Sequence, residues 1–260
     1  MLTLSSNVTL NYEVRNVEAE TTLLFFNGAT LPLEFWAPLQ TQLDGFHCIS
    51  FDQRNSGLTQ FQGTFTLGDT AADAAALLDH LEVKSVTAIG HAWGGRAAQV
   101  FARDYPHLVS RLVVCGTGGQ LPAKTDPKQL MALNTARKSE DRAAWEDAIS
   151  TTYCGELFRQ EQPDAFVDTT DLLWNAPTPR SARWDQEPYP SSSYWGTCVQ
   201  PTLLVYGSED KYGTRENADD LHTRANNSRL HFIEGAGHFV VREAPQQVAR
   251  LITEFISEGS

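Results

Sequence analysis

The chain has 260 residues, 41% of them apolar and 20% charged, with a formal net charge of -12 from 32 acidic residues against 20 Lys and Arg. That length and composition fit a soluble globule of one or two domains, and the acidic excess disfavours partners made of phosphate, so neither nucleic acid nor an anionic membrane is an expected ligand. Four cysteines without a C-x-x-C pair argue against a disulfide framework or a thiolate metal site, and no run approaches the ~18 apolar residues of a membrane span. With no basic, apolar leader at the N-terminus, the expected setting is a reducing cytoplasm.

Residues 2–4 and 7–14 alternate apolar and polar, the pattern of a half-exposed antiparallel pair. TTLLFFN (21–27), FHCISFD (46–52), SVTAIG (85–90), RLVVCG (111–116), PTLLVYG (201–207) and RLHFIEG (229–235) are near-continuous apolar runs. Strands read this way when helices cover both faces of a parallel sheet. Helical patterns lie between them: LEFWAPLQTQL, then TLGDTAADAAALLDHL with Thr66 and Asp69 as a capping box, GGRAAQVFARDYP ending at Pro106, and APQQVARLITEFI. The alternation predicts an α/β fold with a doubly wound, mostly parallel sheet. It fails over 121–198, where KQLMALNTARKSEDRAAWEDAISTTY and EQPDAFVDTTDLLWN read as helices and SARWDQEPYPSSSYW is rich in Pro, Ser and aromatics. This segment is expected to be a helical cap inserted into a core formed by 1–120 and 199–260.

AIGHAWGGRA, residues 88–97, carries the chemistry. A buried strand runs into a turn of small residues (Gly90, Gly94, Gly95) and then a helix. G-x-S-x-G in that context puts a serine hydroxyl at the top of a sheet; here the central residue is Ala92. GHAWGG is not the dinucleotide pattern G-x-G-x-x-G. Downstream, Asp210 follows the strand LLVYG, and His238 follows the last strand in IEGAGHFVV.

In this order of motifs the chain resembles the α/β-hydrolase fold superfamily over nearly its whole length, with the cap as the divergent part. The resemblance implies a nucleophile elbow centred on Ala92, Asp210 as the triad carboxylate and His238 as its base. It implies an oxyanion hole from the backbone N–H groups of Trp93 and of Ala29 in FFNGAT, where Asn27-Gly28 stands in place of the more usual His-Gly. The function it implies is hydrolysis of a small carboxylic ester or lactone without metal or organic cofactor, most like the enol-lactone hydrolases and small carboxylesterases; carbon–carbon bond hydrolases of ring-cleavage products and proline iminopeptidases share the same parts.

Alanine offers no lone pair, so three accounts of Ala92 stand side by side. A serine was replaced on purpose, the natural enzyme uses His238 and Asp210 as a general base without a serine, or the pocket serves as a receptor. Asn27, Gly28, Phe35, Trp36, His91, Trp145 and Trp174 are the expected substrate contacts. The cap also holds Tyr153, Phe158, Trp184, Tyr189, Tyr194 and Trp195, which build its own small core or line an apolar pocket for a small acyl compound. Arg54, in DQRNSGLT, is expected to brace its loop against nearby carboxylates, with a substrate carboxylate as the alternative; Arg180 and Arg183 are further outlying cations. The assembly is expected to be a monomer or a homodimer.

Overall fold

The computed structural model describes residues 1–119, 121–178 and 187–258. Seven strands form the main sheet in the order β10 (Ser228–Ile233), β9 (Thr202–Gly207), β8 (Val109–Cys115), β7 (Val86–His91), β4 (Thr22–Phe26), β5 (His47–Phe51) and β3 (Tyr12–Arg15). Every neighbouring pair is parallel except β3 against β5. The expected N-terminal antiparallel pair splits in two. β1 (Leu2–Ser5) and β2 (Val8–Leu10) join β6 (Gln60–Phe61) in a small separate sheet, while β3 crosses to the main one.

The period of two along each strand explains the continuous apolar runs. Leu23, Phe25, Ile89, Val113, Leu203 and Val205 point to one face and pack with α1 (Ala37–Thr41), α9 (Val240–Glu243), α10 (Pro245–Ser257) and the helices of the inserted region. Leu24, Phe26, Ala88, Val114, Leu204 and Tyr206 point to the other and pack with α2 (Leu67–His80), α3 (Trp93–Asp104) and α8 (Arg215–Arg224). With both faces covered, the runs in β4, β5, β7, β8 and β9 lose their polar alternation, and each fully buried large apolar side chain contributes about 2 kcal/mol relative to exposure; the run RLHFIEG differs, because β10 lies at the sheet edge and leaves Arg229 and His231 exposed. The α2 capping box forms as the sequence suggests: Thr66 Oγ1 accepts from the Asp69 backbone N–H, and the Asp69 carboxylate accepts from the Thr66 N–H.

Between β8 and β9 lies the inserted helical region: α4 (Pro127–Ala136), α5 (Arg142–Tyr153), α6 (Glu156–Glu161) and α7 (Pro163–Trp174). The long predicted helix breaks at Arg137–Asp141, because the Asp141 carboxylate accepts from the Ala144 N–H and starts a new helix. The short α6 was not expected; Pro163 separates it from α7. The helix α8 also went unread, its surface-facing sequence RENADDLHTR carrying too little apolar signal. Among the described residues no helix is long and apolar enough to cross a membrane. All four cysteines are free thiols.

Candidate active site

β7 lies between β4 and β8 and delivers Gly90 and His91 to the C-terminal edge of the sheet. Ala92 then takes φ 52 and ψ -117, a conformation uncommon for a residue with a Cβ and costing about 1–3 kcal/mol. The turn is held by the Ala92 N–H donating to the Cys115 carbonyl (2.9 Å) and the Gly95 N–H donating to the Ala92 carbonyl (3.2 Å). Its glycines are steric requirements. A Cβ on Gly90 would stand 2.4 Å from the Gly94 carbonyl oxygen, and one on Gly94 would stand 2.0 Å from the Phe26 carbonyl oxygen. Trp93 opens α3, and its ring meets Phe65 edge-on at 5.9 Å. Ala92 lines a cavity of about 410 Å³ between sheet edge and inserted helices.

His238 lines the same cavity. Its Nδ1 lies 2.9 and 3.0 Å from the two carboxylate oxygens of Asp210. Asp210 Oδ1 also accepts from the backbone N–H groups of Tyr212 (2.7 Å) and Gly213 (2.9 Å), which fix the carboxylate. Both residues are nearly enclosed, His238 at 7% and Asp210 at 8% exposure. With Nδ1–H donating to Asp210, Nε2 is the ring nitrogen left for the cavity.

The loop carrying His238 is fastened by Glu243, a residue the sequence reading missed. Glu243 Oε2 accepts from the N–H groups of Gly155 and Gly237 (both 2.8 Å), and Oε1 accepts from that of Phe239 (2.9 Å). Burial pushes this carboxyl up to about 7, against the pull of those three donors. The His238 N–H donates to the Tyr153 carbonyl at 2.6 Å, so the histidine loop is tied directly to the end of α5. An acid set within the apolar stretch FVVREAP was the available signal. Beside it, Arg242 donates to Thr169 Oγ1 on α7 (2.8 Å) and to the Phe35 carbonyl (3.2 Å). Burial pushes this guanidinium down to about 10.

His91 is fully buried next to His238, ring centroids 5.1 Å apart. Its Nε2–H donates to the His238 carbonyl at 2.8 Å, and Phe35 stacks on its ring at 5.2 Å. Burial, with His238 close by, pushes it down to about 3, so it stays neutral. It braces the loop of His238.

Of the residues expected at the site, the structure brings Gly28, Ala29, His91, Ala92, Trp93, Trp145 and His238 to the cavity wall, with Asp210 behind His238. Asn27, Phe35, Trp36 and Trp174 do not line it, and their expected substrate contacts are corrected accordingly. Asn27 is fully buried and spends its amide inside the protein: Nδ2 donates to the carbonyls of Leu31 and Phe51, and Oδ1 accepts from Trp36 Nε1 at 2.6 Å. Phe35 and Trp36 pack into the core, Trp36 against Phe25 at 5.0 Å. Trp174 sits behind the wall, edge-on to Trp145 at 5.2 Å. Arg54 braces its loop, as the sequence suggests, with a two-pronged bond to Asp73 at 2.8 and 2.9 Å. Tyr194 and Trp195 pack under the sheet with α3 and α8 rather than in a cap core. Arg180, Arg183 and Trp184 lie outside the described residues.

The cavity also has polar lining that sequence reasoning did not single out: Arg96, Arg137 and Tyr212, with Tyr153 known only as an aromatic of the cap. Arg96 follows the elbow by one helical turn, which was a usable signal. Arg137 and Tyr153 come together only through the α4–α5 break.

Known proteins share this fold. The family model described as alpha/beta hydrolase fold matches residues 21–245. The chain is similar to a poly(3-hydroxyalkanoate) depolymerase of Ectopseudomonas oleovorans, 28% identical over 250 residues that span 92% of this chain and 85% of that protein. It is similar to the esterase YbfF of Escherichia coli, 26% identical over 223 residues, 81% of this chain and 82% of that protein. Among solved structures it is similar to a thermophilic esterase from Thermogutta terrifontis with malate bound, at a TM-score of 0.80 and 23% identity over 96% of this chain and 94% of that one.

Proposed function

The chain belongs to the alpha/beta hydrolase fold family of enzymes, and from that premise we propose that its site is built to hydrolyse a small carboxylic ester or lactone. In this reading residue 92 is the nucleophile position, occupied by Ala in place of Ser. His238 is the general base, and Asp210 orients its ring. The backbone N–H groups of Ala29 and Trp93 are the oxyanion donors. Residues 1–120 and 199–260 form the catalytic core, and 121–198 form the cap that shapes the substrate pocket.

The observation that carries the reading is the His238–Asp210 pair, 2.9 Å apart, on the wall of the cavity that the strained residue 92 also lines. A serine there would attack the acyl carbon while His238 takes its proton, and the acyl-enzyme would then be hydrolysed by water. The ester and depolymerase names of the two curated relatives support an ester bond as the target. With Ala92 the route has no nucleophile, and loss of that group costs on the order of a million-fold in turnover. Retention of the glycine-lined turn and of the His238–Asp210 pair favours a serine-to-alanine replacement over a lineage that abandoned the triad.

The test is hydrolysis of p-nitrophenyl acetate, p-nitrophenyl butyrate and a five-membered lactone by this chain and by Ala92→Ser. The substitution is expected to raise kcat by at least about a thousand-fold. Equal background rates from the two folded proteins would overturn the reading in favour of a general base acting without a serine, or of a receptor.

A further inference from the structure

Every ionisable side chain lining the described part of the cavity is basic, phenolic or imidazole: His91, Arg96, Arg137, Tyr153, Tyr212 and His238. No carboxylate lines it among the described residues, although the chain as a whole carries a net charge of -12. Asp210 stands behind the wall and is already committed to His238 and two backbone N–H groups.

Among the described residues Arg96 and Arg137 have no carboxylate within ion-pair distance; Arg96 Nε donates to the Gly118 carbonyl at 2.9 Å, and Arg137 donates to Tyr153 Oη at 3.0 Å. Elsewhere in this protein such groups do find acids, as Arg54 finds Asp73 and Arg103 finds Asp104. A guanidinium facing a small, partly apolar cavity without a counter-ion is a ready partner for an anion, since a carboxylate accepts two of its parallel N–H bonds.

The surroundings of Arg137 complete a subsite. Tyr153 Oη accepts from the guanidinium, which leaves its own O–H to donate. Tyr212 stacks on Tyr153 at 5.0 Å, and among the described residues its buried hydroxyl has no partner in hydrogen-bond geometry. Both rings also contact His238, at 5.5 and 5.3 Å between centroids. One guanidinium and two phenols therefore gather beside the histidine.

We propose that this cavity takes an acyl compound bearing a free carboxylate, held by Arg137, Tyr153 and Tyr212, with Arg96 supplying the second positive charge. This deepens the ester-hydrolase reading and rests on it for the reacting bond: the substrate is a half-ester or a lactone acid. Water adding across its acyl C–O bond yields a dicarboxylate and an alcohol, or a hydroxy dicarboxylate from the lactone.

The test is calorimetric binding of monomethyl glutarate and dimethyl glutarate to this chain, which with Ala92 binds without turnover. The half-ester is expected to bind about tenfold more tightly or better. That preference should vanish in Arg137→Gln and shrink in Tyr212→Phe, which removes one hydroxyl and leaves the packing. Unchanged melting temperatures establish that each variant is folded. Equal affinity for the two esters, or a preference that persists in both variants, overturns the proposal. Displacement of the half-ester by inorganic phosphate as effective as by acetate overturns the carboxylate assignment. Should Ala92→Ser cleave neither ester while the preference remains, the hydrolase reading falls and the carboxylate subsite stands.

Discussion

The two walls of the cavity are built differently. On the sheet wall the groups of the proposed reaction are fixed by backbone: Ala92 by the Cys115 carbonyl, Asp210 by two N–H groups, and the His238 loop by Glu243 and the Tyr153 carbonyl. On the helical wall Trp145, Ile149, Tyr153 and Leu173 present side chains from α5 and α7, and the polar groups are half-buried arginine and tyrosine. Backbone fixation suits chemistry that tolerates little displacement, and a side-chain wall can change its ligand without disturbing that geometry. The seam between the walls is where the two are made to agree, and Glu243 and Arg242 stand on it.

Breaking that seam should produce the largest effect on stability. Glu243→Ala leaves the N–H groups of Gly155, Gly237 and Phe239 buried without an acceptor, at a cost of about 3 kcal/mol or more. Urea unfolding checks this; a loss under about 0.5 kcal/mol, the scale of an ordinary surface change, would show that the walls hold together without it.

Two groups near the seam titrate with opposite consequences. Glu243 rises from 4.5 to about 7 on folding, so the folded protein keeps a proton that the unfolded chain has lost, and its contribution to stability falls as pH rises from about 4.5 to 7. His91 falls from 6.5 to about 3, so the unfolded chain takes up a proton that the folded one refuses, and stability is lost as pH drops from 6.5 toward 3. In unfolding measurements from pH 3 to 8, Glu243→Gln should flatten the neutral side and His91→Gln the acid side. Unchanged slopes in both variants would contradict the environments described for them.

The smallest effect belongs to the peripheral tie. Thr169→Val removes the acceptor of Arg242 Nε and should cost about 1 kcal/mol. In the Ala92→Ser background it should shift KM more than kcat, because it loosens α7 and leaves His238 and Asp210 untouched. A matching fall in kcat alone would place α7 in the reacting geometry instead.

The sheet wall was largely legible in the sequence and the helical wall was not. Five of the six apolar runs and the glycines around Ala92 carry their reason locally: two-faced burial removes alternation, and a turn closing on the Phe26 carbonyl admits no Cβ at Gly94. Asp210 and His238 were reachable because each follows a strand in a family-like loop. Composition announced that the inserted region was aromatic, yet it could not say which rings face the cavity. Trp145 does, while Trp174 packs behind it and Tyr194 lies under the sheet. Arg137 and Tyr153 meet across 16 residues through a helix break whose signal was a single Asp141 cap. Asn27 read either as ordering its loop or as touching substrate, and its full burial, with Oδ1 accepting from Trp36 Nε1, makes it a brace.

The central claim is that a serine at position 92 would find a working base and acid already in place. The most direct measurement is intact-mass labelling with a fluorophosphonate on this chain, on Ala92→Ser, and on Ala92→Ser with His238→Ala. The expected result is one adduct on Ala92→Ser, mapped to residue 92, and none on the other two. A folded Ala92→Ser protein that stays unlabelled would contradict the claim, because the geometry around residue 92 would then not activate a hydroxyl.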